Sequence, residues 1–547
     1  MVFLPPRVVH LHSRMRQHPL RAPLRTIAAF IVVCMVLLVP FVVLQGTRIV
    51  RNYIHTTKDT IALHGKEALT TFSGGMMALQ RSNFLAAHDD FERTSAALQD
   101  VGNVLADEVK PWQRVLPLFP GYNEKLHAAS ALLHAATVLT TIARSSTSAI
   151  SLIASFPSAQ DRIMVLSQAE GVLQSSMPLW EALHTTLTPI PAALLPAEMR
   201  NEFEEFRKSL PLFHAATQES ITLLQVFKEA LGEHGKKRYA LVFQNNAELR
   251  PTGGFMGSLA LIEVSRGRIT NLEVPKGGIY DIAGQIHVQV IAPQPLWLVN
   301  ANWNIQDANW FPDFPTSARK FLWFWNQSGW PPLDGIITFT PTLFEDLIRV
   351  LGPVGPVGPM NITLNADNAV ATIQELTSLQ PYETTKPKEL LAHLVPLMIE
   401  RMTAFGGSTA SVLLEVGTRA ISSKQLLFYM TDQKIQKIIE QFHAAGSLAS
   451  FQGDYLAMVS ANIRGNKTDR VIRTVVDRIA TVQDDGGIDA TITLKRSHGG
   501  VKGAKFTGVR NYTYMRFYVP KGSVLVSATG FSESPGALFE TPNSHAV

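Results

Sequence analysis

The chain has 547 residues, 46% hydrophobic and 17% charged, which is room for about three domains and unlike a disordered or collagen-like protein. Its net charge of +5 matches the five arginines of residues 1–25, since the rest of the chain carries 44 basic and 44 acidic residues. A neutral body argues against binding to nucleic acid, and the single cysteine, Cys34, excludes a disulfide framework or a zinc site built on several thiolates.

The most apolar stretch, residues 26–44, contains 19 residues without a charge. A helix of this length spans the ~30 Å hydrocarbon core of a bilayer. A cleaved signal peptide is the alternative, but its apolar region is normally shorter and ends in a small-residue site that residues 44–47 lack. The basic tail, residues 1–25, precedes the span, so the positive-inside rule keeps it in the cytoplasm. We therefore predict a single-pass anchor in a bacterial cytoplasmic membrane, with the bulk of the chain extracytoplasmic.

Residues 55–235 show the spacing of amphipathic helices. Leu166, Leu173 and Trp180, for example, recur at seven-residue intervals, and prolines separate the helical stretches. About four long helices are expected, and an antiparallel bundle is the arrangement that buries their apolar stripes. We predict a helical bundle or stalk that acts as a spacer; a sensor bundle is the alternative.

Short strands and helices alternate over residues 238–468. Strands are predicted at 239–243, 257–264, 268–274 and 334–340, and a helix at 342–351. Further helical stretches are interleaved with these strands, which is typical of an α/β domain.

The last predicted module, residues 470–547, is β-rich. Its apolar and alternating runs resemble part of a β-sandwich, but 78 residues are fewer than the roughly 100 that a complete sandwich needs. The predicted fold class is therefore multidomain: a transmembrane helix, an α-helical bundle, an α/β domain and a partial β-sandwich.

The densest polar cluster follows the first predicted strand. Ligands gather at the carboxyl ends of strands in open α/β sheets, and the arginine fork suits a phosphate or carboxylate. The alternative is a structured turn in which asparagine caps, Glu248 pairs with Arg250 and two glycines supply positive φ. The ligand-binding candidates in this loop are Asn245, Asn246, Glu248, Arg250, Gly253 and Gly254.

A second polar cluster, residues 300–315, combines Asp307, Asn309 and Asp313 with Trp303 and Trp310. Aromatic side chains among amides and acids resemble a carbohydrate-binding surface, and aspartate oxygens also hold Mg²⁺. The alternative is a long loop whose tryptophans pack on the domain and whose Asp313 caps the next helix.

Tyr280 and Asp281 follow another predicted strand and form a third candidate site. The signatures of zinc proteases, serine hydrolases and the usual nucleotide-binding enzymes are absent from the sequence. The sequence therefore does not decide whether the protein is an enzyme.

Several stretches resemble a bacterial membrane-anchored family known as domain of unknown function 4012. The resemblance covers about residues 238–530 and brings no established activity. The similar stretches are residues 243–256 (FQNNAELRPTGGFM), 307–309 (DAN), 312–319 (PDFPTSAR), 333–341 (LDGIITFTP), 351–354 (LGPV), 462–470 (NIRGNKTDR) and 514–524 (YMRFYVPKGSV).

The segment from Leu333 to Val354 is also distantly similar to LytR–CpsA–Psr proteins. That family transfers glycopolymers from polyprenyl-diphosphate carriers to the cell wall, with arginines and Mg²⁺-bound carboxylates at the diphosphate. The I-P-R-D stretch of the family is missing, and Lys276 stands at a comparable place. No catalytic residue is therefore carried over.

The leading hypothesis is an envelope protein that binds or scaffolds without catalysis. Its α/β domain would bind an anion or glycan during cell-wall or surface-polymer assembly, and an envelope protein is a further candidate partner. The alternative is a transferase of lipid-linked glycosyl phosphates. In that case Asp281, Asp307 and Asp313 would supply Mg²⁺ ligands and Arg250 would neutralise the diphosphate. The transferase requires Arg250 and at least two of these aspartates to converge on one pocket.

Overall fold

The computed structural model describes residues 51–531 except 82, 111–119, 156–160, 196, 198–199, 358–360, 379–388, 405–407, 450 and 452. The predicted tail and membrane span, residues 1–44, lie outside the described residues. The chain divides into two compact units, Met1–Phe156 with Met164–Gln225 and Pro157–Ile163 with Val226–Val547. A helical part and an α/β part with a mixed sheet are both present, as the sequence predicts at this level of detail.

Five helices occupy the described residues between 51 and 230, one more than the sequence indicates. The additional break lies at Asn83, whose side-chain Oδ1 accepts a hydrogen bond from the backbone N–H of Ala86 at 3.2 Å and caps the second helix. Without a proline or glycine at this break, the pattern runs on as one helix. The bounds are α1 Arg51–Gln80, α2 Phe84–Val109, α3 Pro120–Ser155, α4 Arg162–Leu187 and α5 Arg200–Ala230.

Aromatic and aliphatic side chains fill the core of the first unit. Phe72 of α1 and Phe91 of α2 are fully buried, with ring centroids 5.2 Å apart. Gly75 allows this close approach, because a Cβ there would lie 2.8 Å from the Phe91 ring. The predicted stripe of Leu166, Leu173 and Trp180 is also buried.

One helical segment in the described part of the chain, Leu126–Ile153 within α3, is long and apolar enough to cross a membrane. Its Leu132, Leu139 and Ile142 belong to the core of the first unit. A core helix of a bundle has the same length and composition as a membrane span, so this segment is weak evidence for an anchor.

A five-stranded mixed sheet organises the second unit. The strand order is β3-β2-β1-β4-β7, in which β1 and β4 run parallel and the other neighbours are antiparallel. The bounds are β1 Lys237–Asn245, β2 Phe255–Ser265, β3 Arg268–Glu273, β4 Gly335–Phe339 and β7 Leu426–Met430. Because Phe243 pairs with Phe339, the carboxyl ends of β1 and β4 lie at the same edge of the sheet.

The main core of this unit contains Trp310, Phe314, Phe321 and Trp325, all 2% exposed or less. These four residues lie on α7 (Phe314–Gln327) or just before it. Helix α8 (Pro341–Leu351) begins directly after β4 and ends at Gly352, whose φ of 77° suits glycine. The remaining elements up to residue 441 are α6 Ile279–Ala283, β5 Val354–Val357, β6 Ile362–Leu364, α9 Ala369–Ser378, α10 Glu389–Ala404, α11 Ser408–Ser422 and α12 Gln433–Gln441.

The last strands form two separate two-stranded sheets. β8 (Ala457–Arg464) pairs with β11 (Tyr512–Tyr518), and β9 (Ile472–Val482) pairs with β10 (Ile488–His498). The predicted partial β-sandwich needs two sheets with a core between them. Among the described residues from 471 to 531, however, no side chain is buried.

Candidate functional site

The loop after β1, residues 246–254, is a tightly bonded turn. The Asn245 side-chain oxygen accepts from the N–H of Ala247 at 3.1 Å, and the backbone N–H of Phe255 donates to the carbonyl of Glu248 at 2.9 Å. Gly253 has a φ of 138°, and a Cβ on Gly254 would lie 2.3 Å from the backbone of Asn245. The turn geometry therefore accounts for both glycines and for Asn245, although only Gly253 has the positive φ that the alternative interpretation expects of both, and Gly254 serves the close approach instead.

Arg250 lies in the interior and is 3% exposed. Its Nε and Nη2 donate to Asp307 Oδ1 at 3.2 and 3.1 Å, and its Nη1 donates to the carbonyl of Asn462 at 2.5 Å. Glu248 Oε1 lies 3.5 Å from Nη2 of the same guanidinium. The guanidinium is thus held by protein groups.

Asp469 binds the same loop, although the sequence predicts no role for it. Its Oδ2 accepts from the N–H of Leu249 at 2.9 Å and from the side-chain amide of Asn462 at 2.7 Å. Asp469 is separated from Leu249 by 220 positions, so no local pattern links them. The only signal in the sequence is that Asp469 lies in one of the stretches that carry the family resemblance.

Asn309 also serves this loop. Its side-chain nitrogen donates to Thr252 Oγ1 at 3.0 Å and to the carbonyl of Gly254 at 2.9 Å. Gln244 donates to the same threonine hydroxyl at 3.1 Å. The two predicted polar clusters therefore do meet, but they meet as a buried hydrogen-bond network.

Burial dominates the electrostatics of these charges. It raises the pKa of the Asp307 carboxyl, and the charge and hydrogen bonds of Arg250 oppose the rise. Burial likewise raises the pKa of Glu248, with Arg250 and Lys467 opposing it. Lys467, 8% exposed, has its pKa lowered by burial to about 8, although Glu248 counteracts this.

The three aspartates predicted as Mg²⁺ ligands have separate partners. Asp307 bonds Arg250, whereas Asp281 Oδ2 accepts from the N–H of Gly277 at 2.8 Å. Asp313 accepts from the N–H of Thr316 at 3.0 Å, which makes it the cap of α7. Among the described residues, no group of three or more histidine, cysteine or acidic side chains is arranged to hold a metal.

The remaining predicted residues also divide between core and surface. Trp303 and Trp310 are 2% and 0% exposed, so neither offers a face to a carbohydrate. Tyr280, beside Asp281 on α6, is exposed. The convergence of Arg250 with two aspartates on one pocket, which the transferase alternative requires, is not found in the described part of the chain.

A cleft of about 260 Å³ opens beside the loop, at the shared carboxyl edge of β1 and β4. Asn246, from the loop, donates to Thr342 Oγ1 at 3.0 Å and so joins the two segments that follow the parallel strands. Burial raises the pKa of Glu345, and Arg349 and Arg470 oppose the rise. The lining residues are Asn246, Ala247, Pro341, Thr342, Glu345, Val370 and Arg470. Of the predicted site residues, Asn246 alone lines this cleft.

The fold is thus that of a two-unit protein, helical and α/β, with a polar cleft at the sheet edge where α/β proteins bind ligands. Residues 234–377 match the family described as "Protein of unknown function (DUF4012)", which confirms the predicted family resemblance over that stretch. This stretch includes β1 to β6, the buried loop and most of the cleft lining. No curated protein and no solved structure matches the chain.

Proposed function

We propose that the chain is a membrane-anchored, extracytoplasmic binding or scaffolding protein of the bacterial envelope, acting in cell-wall or surface-polymer assembly. Its ligand site would be the cleft at the carboxyl edge of β1 and β4. The observation that carries this proposal is the difference between two neighbouring groups of residues. Arg250, Asp307 and Asp469 are bonded inside the protein, whereas the residues of the cleft face an open space.

The internal bonding favours binding over catalysis. A group that stabilises a transition state must point to the place where charge develops. Arg250 points to Asp307 and to a backbone carbonyl. Its role is then to hold the loop that forms one wall of the cleft.

The lining of the cleft suits a hydroxyl-rich ligand with an acidic group. Asn246 and Thr342 offer both donors and acceptors, and Glu345 adds an acceptor for ligand hydroxyls. Arg470, which is exposed at the rim, supplies the fork that binds a carboxylate or phosphate. The volume is close to the lower limit for small-molecule sites. We therefore propose one acidic sugar unit of an envelope glycopolymer as the ligand.

The membrane part of the proposal rests on the sequence. Residues 26–44 carry no charge, and the basic tail before them sets the orientation. The helical bundle would then act as the spacer that the sequence predicts.

A titration of the full chain in detergent micelles tests the proposal. The probes are a short N-acetylhexosamine oligosaccharide with an acidic substituent, its neutral counterpart and inorganic phosphate. Arg470→Gln is expected to weaken binding of the acidic sugar about tenfold or more, because a charge-assisted hydrogen bond is lost. Thr342→Val should weaken both sugars.

Arg473→Gln is the matched control, since Arg473 is exposed and lies three residues away, outside the cleft lining. Its affinity should equal that of the unmodified chain. Phosphate binding without sugar binding would reduce the site to an anion site. No binding by a folded chain, or equal losses in both arginine variants, would overturn the proposal.

A further inference from the structure

The strands after residue 470 have no hydrophobic core of their own. Large apolar side chains of β9 and β10, such as Ile479, Val482 and Ile488, are 70%, 71% and 49% exposed. Apolar surface of this kind marks an interaction site in a soluble region. The described residues leave this surface uncovered.

The β9–β10 hairpin is the most regular part of this surface. Its eleven residue pairs run from Ile472–His498 to Val482–Ile488. A two-stranded hairpin alone is marginally stable in water, and three or more strands are normally needed. Within the described residues, the outer edges of both strands are unpaired, so each edge offers a row of backbone donors and acceptors.

We propose that the outer edge of β10 pairs, antiparallel, with the same edge of a second copy of this chain, about a two-fold axis at Ile492. This partner is chosen because the strand is complementary to itself in charge. Over residues 488–496 (IDATITLKR), the two-fold places Asp489 opposite Lys495 of the second copy, and Lys495 opposite its Asp489.

The other positions of this register are also compatible. Thr491 faces Thr493 twice, and Ile492 faces Ile492 on the axis. Opposite charges and threonine pairs are among the cross-strand neighbours that stabilise antiparallel sheets. Nine residues pair on each side, a length of about 30 Å.

The edge of β9 is a poorer match. If β9 paired with β9 of a second copy, Arg473 would lie opposite Asp477 only with the two-fold axis at Val475. Seven residues, at one end of the strand, would then overlap. Arg478, at the limit of that overlap, already forms an ion pair with Asp454 at 2.6 Å, whereas Asp489 of β10 accepts a hydrogen bond from the neutral side chain of Gln483 at 2.8 Å.

The dimer would convert two hairpins into one four-stranded sheet, β9-β10-β10-β9. Val476, Val482, Ile488 and Leu494 share one face of the hairpin, because register partners and alternate residues point to the same side. The second copy doubles this apolar face and gives it the strand number that a stable sheet requires.

Disulfide cross-linking of the full chain in detergent tests the register. In a Cys34→Ala background, Ile492→Cys places two thiols opposite each other, with Cα atoms about 4.5–5.5 Å apart, which is within disulfide range. We expect a covalent dimer on mild oxidation. Ile479→Cys on β9 is the exposed control, because the two β9 strands are three strand spacings apart, about 14 Å.

Charge reversal tests the complementarity by light scattering. Asp489→Lys or Lys495→Asp alone opposes like charges at two places and should raise the dimer dissociation constant about tenfold. The double variant exchanges the two charges and should restore dimerisation. A monomeric chain, a covalent dimer through Val475→Cys but not Ile492→Cys, or a double variant as weak as the single ones would overturn the proposal. None of these outcomes depends on the ligand of the cleft.

Discussion

Arg250 and Asp307 form a buried ion pair that joins two segments 57 positions apart. The guanidinium Nη2 lies 3.1 Å from Asp307 Oδ1, and both side chains are less than 10% exposed. This contact fixes the loop after β1 against the segment before α7. The residues that look most like a binding site in the sequence are therefore those that hold the site's wall in place.

Removal of one partner from this pair should destabilise the second unit. Arg250→Ala leaves the carboxylate of Asp307 buried without its main partner, which typically costs 3–5 kcal/mol, whereas Arg250→Met with Asp307→Leu should cost less. Urea unfolding followed by tryptophan fluorescence measures this. Six of the eight tryptophans lie in the second unit and report on it.

Arg473→Ala is the control for that experiment, because Arg473 is an exposed arginine of the same unit. It should change the free energy of unfolding by about 0.5 kcal/mol at most. An Arg250→Ala chain as stable as the control would show that the pair does not hold the fold.

Gly254 should tolerate no side chain. A Cβ there would lie 2.3 Å from the carbonyl carbon and oxygen of Asn245, which are backbone atoms and cannot rotate away. Gly254→Ala is expected to destabilise the second unit by about 2–3 kcal/mol. Gly417→Ala is the matched control, since its Cβ meets nothing within 4 Å and alanine favours the helix. Equal effects of the two substitutions would contradict this account.

Local patterns predict much of the fold correctly. The strands β1 and β4, the helix α8 after β4 and the cap of α7 by Asp313 all depend on residues close together in sequence. Alternation could not show whether the last strands form a partial sandwich or two separate two-stranded sheets, because alternation indicates a strand and says nothing about what covers it.

The site was less predictable because its contacts are long-range. Asp469, Lys467 and Asn462 approach the loop across more than 200 positions, and no spacing rule connects them to Arg250. Thr342 is not predictable for a related reason, since it becomes a cleft residue only when β1 and β4 pair in parallel. Arg470 reaches the cleft beside Asp469, whose contact with Leu249 is equally long-range. The stretches of the sequence that are densest in polar and charged residues form the buried network and, apart from Asn246, not the lining of the cleft.

A comparison of a buried tryptophan with an exposed one tests the assignment of the core. Trp310 is fully buried, stacks on Tyr514 at 5.6 Å and has the Arg516 guanidinium 4.5 Å from its ring centroid. Trp310→Ala should therefore cost about 3–5 kcal/mol of stability. Trp297→Ala, at a residue that is 54% exposed, should cost about 1 kcal/mol or less. Urea unfolding monitored by circular dichroism avoids the loss of the fluorophore, and comparable losses in both variants would refute the assignment of Trp310 to the core.

Lys467 should make the stability of the second unit rise with pH above about 8. Its pKa is lowered to about 8 in the folded state by burial, whereas an unfolded lysine titrates near 10.4. Between these values the unfolded chain binds more protons, so the free energy of unfolding increases with pH, by about 3 kcal/mol in all. Below pH 8 both states are protonated and the cost of the buried charge is fully present.

Lys467→Met should remove this pH dependence, because methionine has a similar length and does not titrate. The variant also loses the contact of the ammonium with the Phe506 ring at 4.6 Å. Its gain in stability at pH 7 is therefore smaller than the full free-energy cost of the buried charge. The measurement is the difference in unfolding free energy between the variant and the unmodified chain, from pH 7 to 10.5. The control is the same measurement for Lys521→Met, at an exposed lysine. This difference should shrink as pH rises for Lys467→Met and stay constant for Lys521→Met. A constant difference for both would mean that burial does not lower the pKa of Lys467.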